Sequence, residues 1–228
     1  MGKHLTYLHD GVTGEGYLAL PESGSGPAVI VIQEWWGLVG HITDVADRFA
    51  AAGFVAFAPD LYHGQAASEP DTAMKLMMEL QLDLAGREIS NAANYLLSLP
   101  ETATDHVGVI GFCMGGSLAI WSGTLTPQIS ATVGFYPGAS WERHAPAWEN
   151  YQGKATIIHC AEGDGTSSAP GIQEALTEIT AAGGVATAFD YAGTNHAFFN
   201  DDRPEVFEPL AAALAWERTL EFFFKTLK

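Results

Sequence analysis

Short apolar runs alternate with longer amphipathic stretches along the whole chain. Tyr17–Leu20 reads as an early strand. Ala28–Ile32 is apolar without a break, the pattern of a strand buried on both faces. Residues 42–52 place Ile42, Val45, Ala46 and Phe49 on one helical face, and Gly53 ends that helix. Phe54–Ala58 is the next strand, closed by Pro59-Asp60. From a loop at Ser68–Pro70, a helical pattern runs to about Ser98, with Met77, Leu80, Leu84, Ile89, Ala93 and Leu96 broadly on one side. Met74, Met77 and Met78 are expected as core or groove filler. Val107–Ile110, Ala131–Phe135, Thr156–His159 and Thr187–Tyr191 are four further strands; helices fit Ser117–Trp121, 170–181 and 205–226. This alternation predicts an α/β protein: a mostly parallel central sheet of about seven to eight strands, with helices on both faces. No repeat or interdomain linker interrupts it, so a single domain over residues 1–228 is expected.

Composition narrows the function. Hydrophobic residues make up 47% and charged residues 16% of the chain, as in an ordinary globular protein. The net charge of −17 repels nucleic acid and anionic membrane surfaces, so neither is an expected partner. No apolar run reaches membrane-span length, and the first residues lack a secretory apolar core. A cytoplasmic location, and a monomer or homodimer, are expected. Two cysteines do not make a disulfide framework or a cysteine-only zinc site. No metal or organic cofactor is indicated.

The chemistry concentrates at Gly111-Phe112-Cys113-Met114-Gly115-Gly116. Strand-like residues lead in and helix-like residues follow. Gly-x-Cys-x-Gly between a strand and a helix is the nucleophile-elbow pattern, with sulfur in place of oxygen. A helix start just after Cys113 supplies free N–H groups and a positive dipole end, both favouring a thiolate. A cysteine nucleophile needs a base, and the base needs an orienting acid. His196, in a glycine-bearing loop after the last strand, completes the chain order nucleophile, acid, histidine. The acid should follow Thr156–His159; Asp164 is the first choice and Glu162 the competitor. The expected oxyanion donors are the backbone N–H groups of Met114 and, from the loop after Ala28–Ile32, Trp35.

Together with Gln33-Glu34-Trp35-Trp36-Gly37-Leu38, Ala58-Pro59-Asp60-Leu61-Tyr62, Gly163-Asp164 and Asn195-His196-Ala197-Phe198, the elbow resembles the dienelactone hydrolase family over about residues 10–225. The resemblance implies an α/β-hydrolase fold and a Cys-His-Asp triad acting on a small ester or lactone through an acyl-enzyme. It also implies that Glu34 approaches the resting thiol and takes up its proton when substrate binds; the plainer alternative is a structural carboxylate bonded to loop amides. The family's founding enzymes hold a substrate carboxylate with arginines, one of them four residues past the catalytic histidine. Asn200 stands at that position here, which points away from dienelactone itself. Arg143 and Arg203 alone among the arginines fall near loops on the predicted active face. With Trp36, Tyr136 and Phe198 they are the candidate substrate-binding residues. Two other functions share these features: a thioesterase or acyl transferase, and a non-catalytic ligand-binding or redox-sensing protein.

Overall fold

Along strand β3 (Gly26–Ile32), Ala28, Ile30 and Ile32 enter one apolar cluster while Val29 and Val31 enter another. Side chains alternate across a strand, so an unbroken apolar run needs cover on both faces. The computed structural model, which describes every residue except Asp10 and Ala139, supplies that cover. On one face lie α1 (Gly40–Ala51) and α6 (Pro209–Thr226), through Ile42, Phe49, Ala215 and Phe223. On the other lie α3 (Leu82–Ser98), α4 (Met114–Ser122) and α5 (Pro170–Ala181), through Ile89, Leu96, Leu118 and Ile179.

The sheet has eight strands in the order β1-β2-β4-β3-β5-β6-β7-β8. β1 (Lys3–His9) and β2 (Val12–Ala19) pair antiparallel, and β2 pairs antiparallel with β4 (Val55–Pro59). From β4 onward every pairing is parallel, through β3, β5 (Thr102–Phe112), β6 (Ile129–Phe135), β7 (Ala155–Ala161) and β8 (Val185–Tyr191). Parallel strands send their C-terminal loops to one edge, where ligands bind in open α/β sheets. Among the described residues, no helix is long and apolar enough to cross a membrane.

Three elements differ from expectation. β1 has no counterpart in the sequence reading; it is an edge strand whose burial reaches only Tyr7, stacked on Tyr95 at 4.4 Å. Its mixed Lys-His-Leu-Thr pattern carries little strand signal. The helix expected as one piece to Ser98 is two, α2 (Pro70–Glu79) and α3, separated by extended backbone at Leu80 (φ −59°, ψ 118°) and Gln81. No glycine or proline marks that break. Met74 and Met78 are exposed rather than core, because α2 buries only its Ala73 and Leu76 side.

Candidate active site

β5 ends at Phe112, α4 begins at Met114, and Cys113 makes the turn with φ 57° and ψ −119°. Positive φ is unfavourable for a residue with a Cβ, and such strain persists only where the surroundings over-determine it. Two glycines show how tight those surroundings are. A Cβ on Gly111 would lie 1.9 Å from the Gly115 carbonyl oxygen, and one on Gly115 would lie 2.3 Å from that of Gln33. The second contact presses the start of α4 against the end of β3. The loop bearing Glu34 and Trp35 is thereby set beside the elbow. The Cys113 N–H donates to Phe135 O at 3.0 Å, fixing the elbow to β6. Met114 opens α4, so its N–H has no intrahelical partner.

His196 arrives from the loop after β8. Its Nδ1 lies 2.7 Å from Asp164 Oδ2, at the end of a short 3-10 turn (Glu162–Asp164) that follows β7. With Nδ1 facing the carboxylate, Nε2 remains for the thiol. Desolvation lowers the imidazole's proton affinity. Hydrogen bonding to Asp164 and Cys113, with the charges of both, outweighs it and raises the pKa to about 10. Glu162 is engaged elsewhere: its Oε2 accepts the Gly193 N–H at 2.7 Å. Thr194 joins the two loops, accepting the Gly163 N–H on its carbonyl at 3.0 Å.

Glu34 is buried behind the elbow. Its Oε2 accepts from Asn200 Nδ2 at 3.0 Å, while Oε1 has no hydrogen-bond partner. Tyr136, also buried and at φ 36°, sets its ring 5.0 Å from that of His196 at a tilt of 59°, and its hydroxyl interacts with the Glu34 carboxylate. Burial, then the charges of Glu34 and Cys113, hold the Tyr136 phenol protonated far above the ordinary tyrosine range. His41, from α1, is buried, with Nδ1 3.5 Å from Asp201 Oδ1 and Nε2 without a hydrogen-bond partner; desolvation lowers its pKa against the opposing pull of Glu34 and Asp201.

The sequence model of the dienelactone hydrolase family matches residues 15–227. The chain belongs to the dienelactone hydrolase family. Protein usf of Aquifex pyrophilus is 36% identical over 98% of both chains. A protein of Aquifex aeolicus assigned as a carboxymethylenebutenolidase is 34% identical over 100% of both. Among solved structures, one assigned as a dienelactone hydrolase from Klebsiella pneumoniae superposes with a TM-score of 0.84 at 23% identity, over 99% of this chain and 98% of that one. That likeness is one of fold, and it extends to the mostly parallel, helix-covered sheet.

The other residues singled out in this dienelactone hydrolase family member fall in different places. Trp35 and Trp36 meet edge to face at 5.0 Å and join Met114, Leu76, Leu80 and Tyr62 in a small apolar cluster under α2. Phe198 is fully buried against Phe135, Tyr136 and Tyr191, so it braces the wall from the core side instead of presenting a face to substrate. Arg143 is exposed and donates to Leu80 O at 3.3 Å, at the break between α2 and α3. Arg203 pairs with Glu205 at 2.9 Å. Two contacts had no sequence signal: the Asn200–Glu34 bond, and Tyr62 OH donating to Met114 Sδ at 3.4 Å. The Ala58-Pro59-Asp60-Leu61-Tyr62 motif marked Tyr62 without giving it a role.

Proposed function

We propose that the chain hydrolyses a small, uncharged carboxylic ester or lactone through an acyl-enzyme on Cys113. One observation carries the reading: a cysteine at positive φ on a strand-to-helix elbow, with a histidine beside it that an aspartate holds at 2.7 Å. Packing alone gives no reason for that combination. As substrate enters, the Cys113 thiol passes its proton to Glu34, and the resulting thiolate faces the His196 imidazolium. The sulfur attacks the acyl carbon, and the oxyanion is received by the N–H groups of Met114 and Trp35. His196 then protonates the departing alkoxide. Neutral again, it takes a proton from the water that cleaves the thioester, and Asp164 steadies the imidazolium each time it forms. When the acyl group has left, Glu34 returns its proton to the sulfur.

The preference for an uncharged substrate follows from the arginines. Arg143 is drawn to Leu80 O and Arg203 is paired with Glu205, while the chain as a whole carries −17. Bidentate recognition of a carboxylate wants a free guanidinium. The name assigned to the Aquifex aeolicus relative points to a butenolide-type lactone as the cyclic counterpart of such an ester. A thiol nucleophile, and two free cysteines, suit the reducing cytoplasm.

The test is the initial rate on p-nitrophenyl acetate and butyrate for the wild type and Cys113→Ala. Cleavage that disappears with the thiol is expected. Unchanged cleavage in Cys113→Ala, or none in folded wild type with a titratable thiol, would overturn the proposal.

A further inference from the structure

Asn200 is buried, and every polar group it owns is engaged. Its N–H donates to Ala197 O at 2.9 Å, and its carbonyl accepts the Arg203 N–H at 3.1 Å. Its side-chain Oδ1 accepts the Asp202 N–H at 3.1 Å, which turns Nδ2 toward Glu34 Oε2 at 3.0 Å. Because a backbone N–H can only donate, this contact also settles which end of the amide is oxygen. The loop that carries His196 therefore also grips the carboxylate behind the thiol.

The atoms left over lie around the same carboxylate. Glu34 Oε1 and His41 Nε2 are buried without hydrogen-bond partners, the Tyr136 phenol interacts with the Glu34 carboxylate, and His41 Nδ1 lies 3.5 Å from Asp201 Oδ1. Unsatisfied buried polar groups are rare and call for an explanation when they gather. With Oε2 fixed by the amide, Oε1 is the oxygen free to act. The Tyr136 phenol feels the charges of both Glu34 and Cys113, which places these three groups together.

We propose that Asn200 is the positioning residue of Glu34: it fixes one carboxylate oxygen so that the other serves the Cys113 thiol. The proposal rests on the Cys113 hydrolase reading. Its partner is a neutral amide, so Glu34 can gain a proton without leaving a buried cation unpaired. The amide donor is also used up, which removes it as a receptor for a substrate carboxylate. Glu34 acts on Tyr136, after β6, and on His41, from α1; Cys113 of the elbow acts on the same Tyr136, and Asp201 and Asp202, beside Asn200, on the same His41. Asp201 is itself paired with Arg48 of α1, and Arg203 acts on Tyr136.

Alkylation of Cys113 by iodoacetamide tests this without any turnover, and Cys160 is buried and shielded from the reagent. Asn200→Leu deprives Glu34 of its donor, so the carboxylate holds a proton more readily and opposes the thiolate less. The half-maximal pH of alkylation should move toward acid by about one unit in Asn200→Leu. It should move the same way in Glu34→Gln and no further in the double variant. A wild-type profile in Asn200→Leu, or a full second shift in the double variant, would overturn the proposal. Asn200→Asp guards against misfolding, since it has the same shape and keeps the acceptor for Asp202. Its alkylation profile should also depart from wild type, and its kcat/KM on p-nitrophenyl butyrate should fall about tenfold; an unaltered profile would refute the assignment. If the wild type cleaved no ester, the hydrolase reading would fail while the alkylation series still decided the role of Asn200.

Discussion

Glu162 Oε2 accepts the Gly193 N–H at 2.7 Å, two residues before the carboxylate that meets His196. The two acids of this turn thus have separate duties, one tying loops together and one orienting the imidazole. Glu162→Gln retains an acceptor for Gly193, so its ester-hydrolysis rate should stay within about threefold of wild type. Asp164→Asn removes the charge that steadies the imidazolium and should cost about 10²–10⁴-fold in kcat. Reversed losses in a kinetic comparison of the two variants would make Glu162 the acid.

Two histidines give stability opposite dependences on pH. His159 is buried between Tyr191 OH at 2.8 Å and Thr219 Oγ1 at 3.1 Å; desolvation, aided by Arg218, lowers its pKa from 6.5 to about 3. The folded chain refuses a proton there that the unfolded chain accepts. Its contribution is present above pH 6.5 and is lost as pH falls toward 3. His196 is raised from 6.5 to about 10, so its contribution is full below 6.5 and is lost as pH rises through 10. Thermal unfolding should show His159→Gln with a shallower acid slope than wild type, and His196→Gln with a shallower alkaline one. Slopes matching wild type would assign the pH dependence to other groups.

Gly115→Ala should damage structure and activity together. Its Cβ would meet the Gln33 and Ile32 carbonyl oxygens at 2.3 and 2.7 Å, and both belong to backbone that cannot swing aside. Overpacking of this kind costs about 1–3 kcal/mol or more. Relief must come from moving α4 away from β3, which separates the Met114 and Trp35 N–H groups. A lowered unfolding midpoint with reduced kcat is the expected pair of results. A lowered midpoint with wild-type kcat would show that the two donors need not stay in register.

Arg143 holds Leu80 O where α2 gives way to α3, and α2 roofs the Trp35, Trp36 and Met114 cluster. Arg143→Ala should loosen that roof. We expect KM for p-nitrophenyl butyrate to rise about two- to fivefold, with acetate less affected, because a longer acyl chain gains more from apolar cover. Equal changes for both esters would place the roof away from the acyl chain.

The elbow was legible because its requirements are local: two glycines, a nucleophile and a change of hydrophobic period fall within a few residues. The buried strands were legible for the same reason. β1 was not, since an edge strand with one buried tyrosine need not look like a strand. The break at Leu80-Gln81 was hidden because tertiary contact makes it: helix periodicity continues across residues whose backbone is extended. Asn200 was noticed for the arginine it replaces, yet its bond to Glu34 spans 166 positions. Nothing in the separate sequences around Asn200 and Glu34 announces that they touch.

Cys113 occupies backbone that a glycine would adopt without strain, at φ 57°. Relieving that strain by Cys113→Gly would oppose the loss of the thiol's partial packing against the core. The residue on which the proposed chemistry depends therefore carries backbone strain that a glycine would not. On the proposed chemistry, stability and turnover pull on this position in opposite directions.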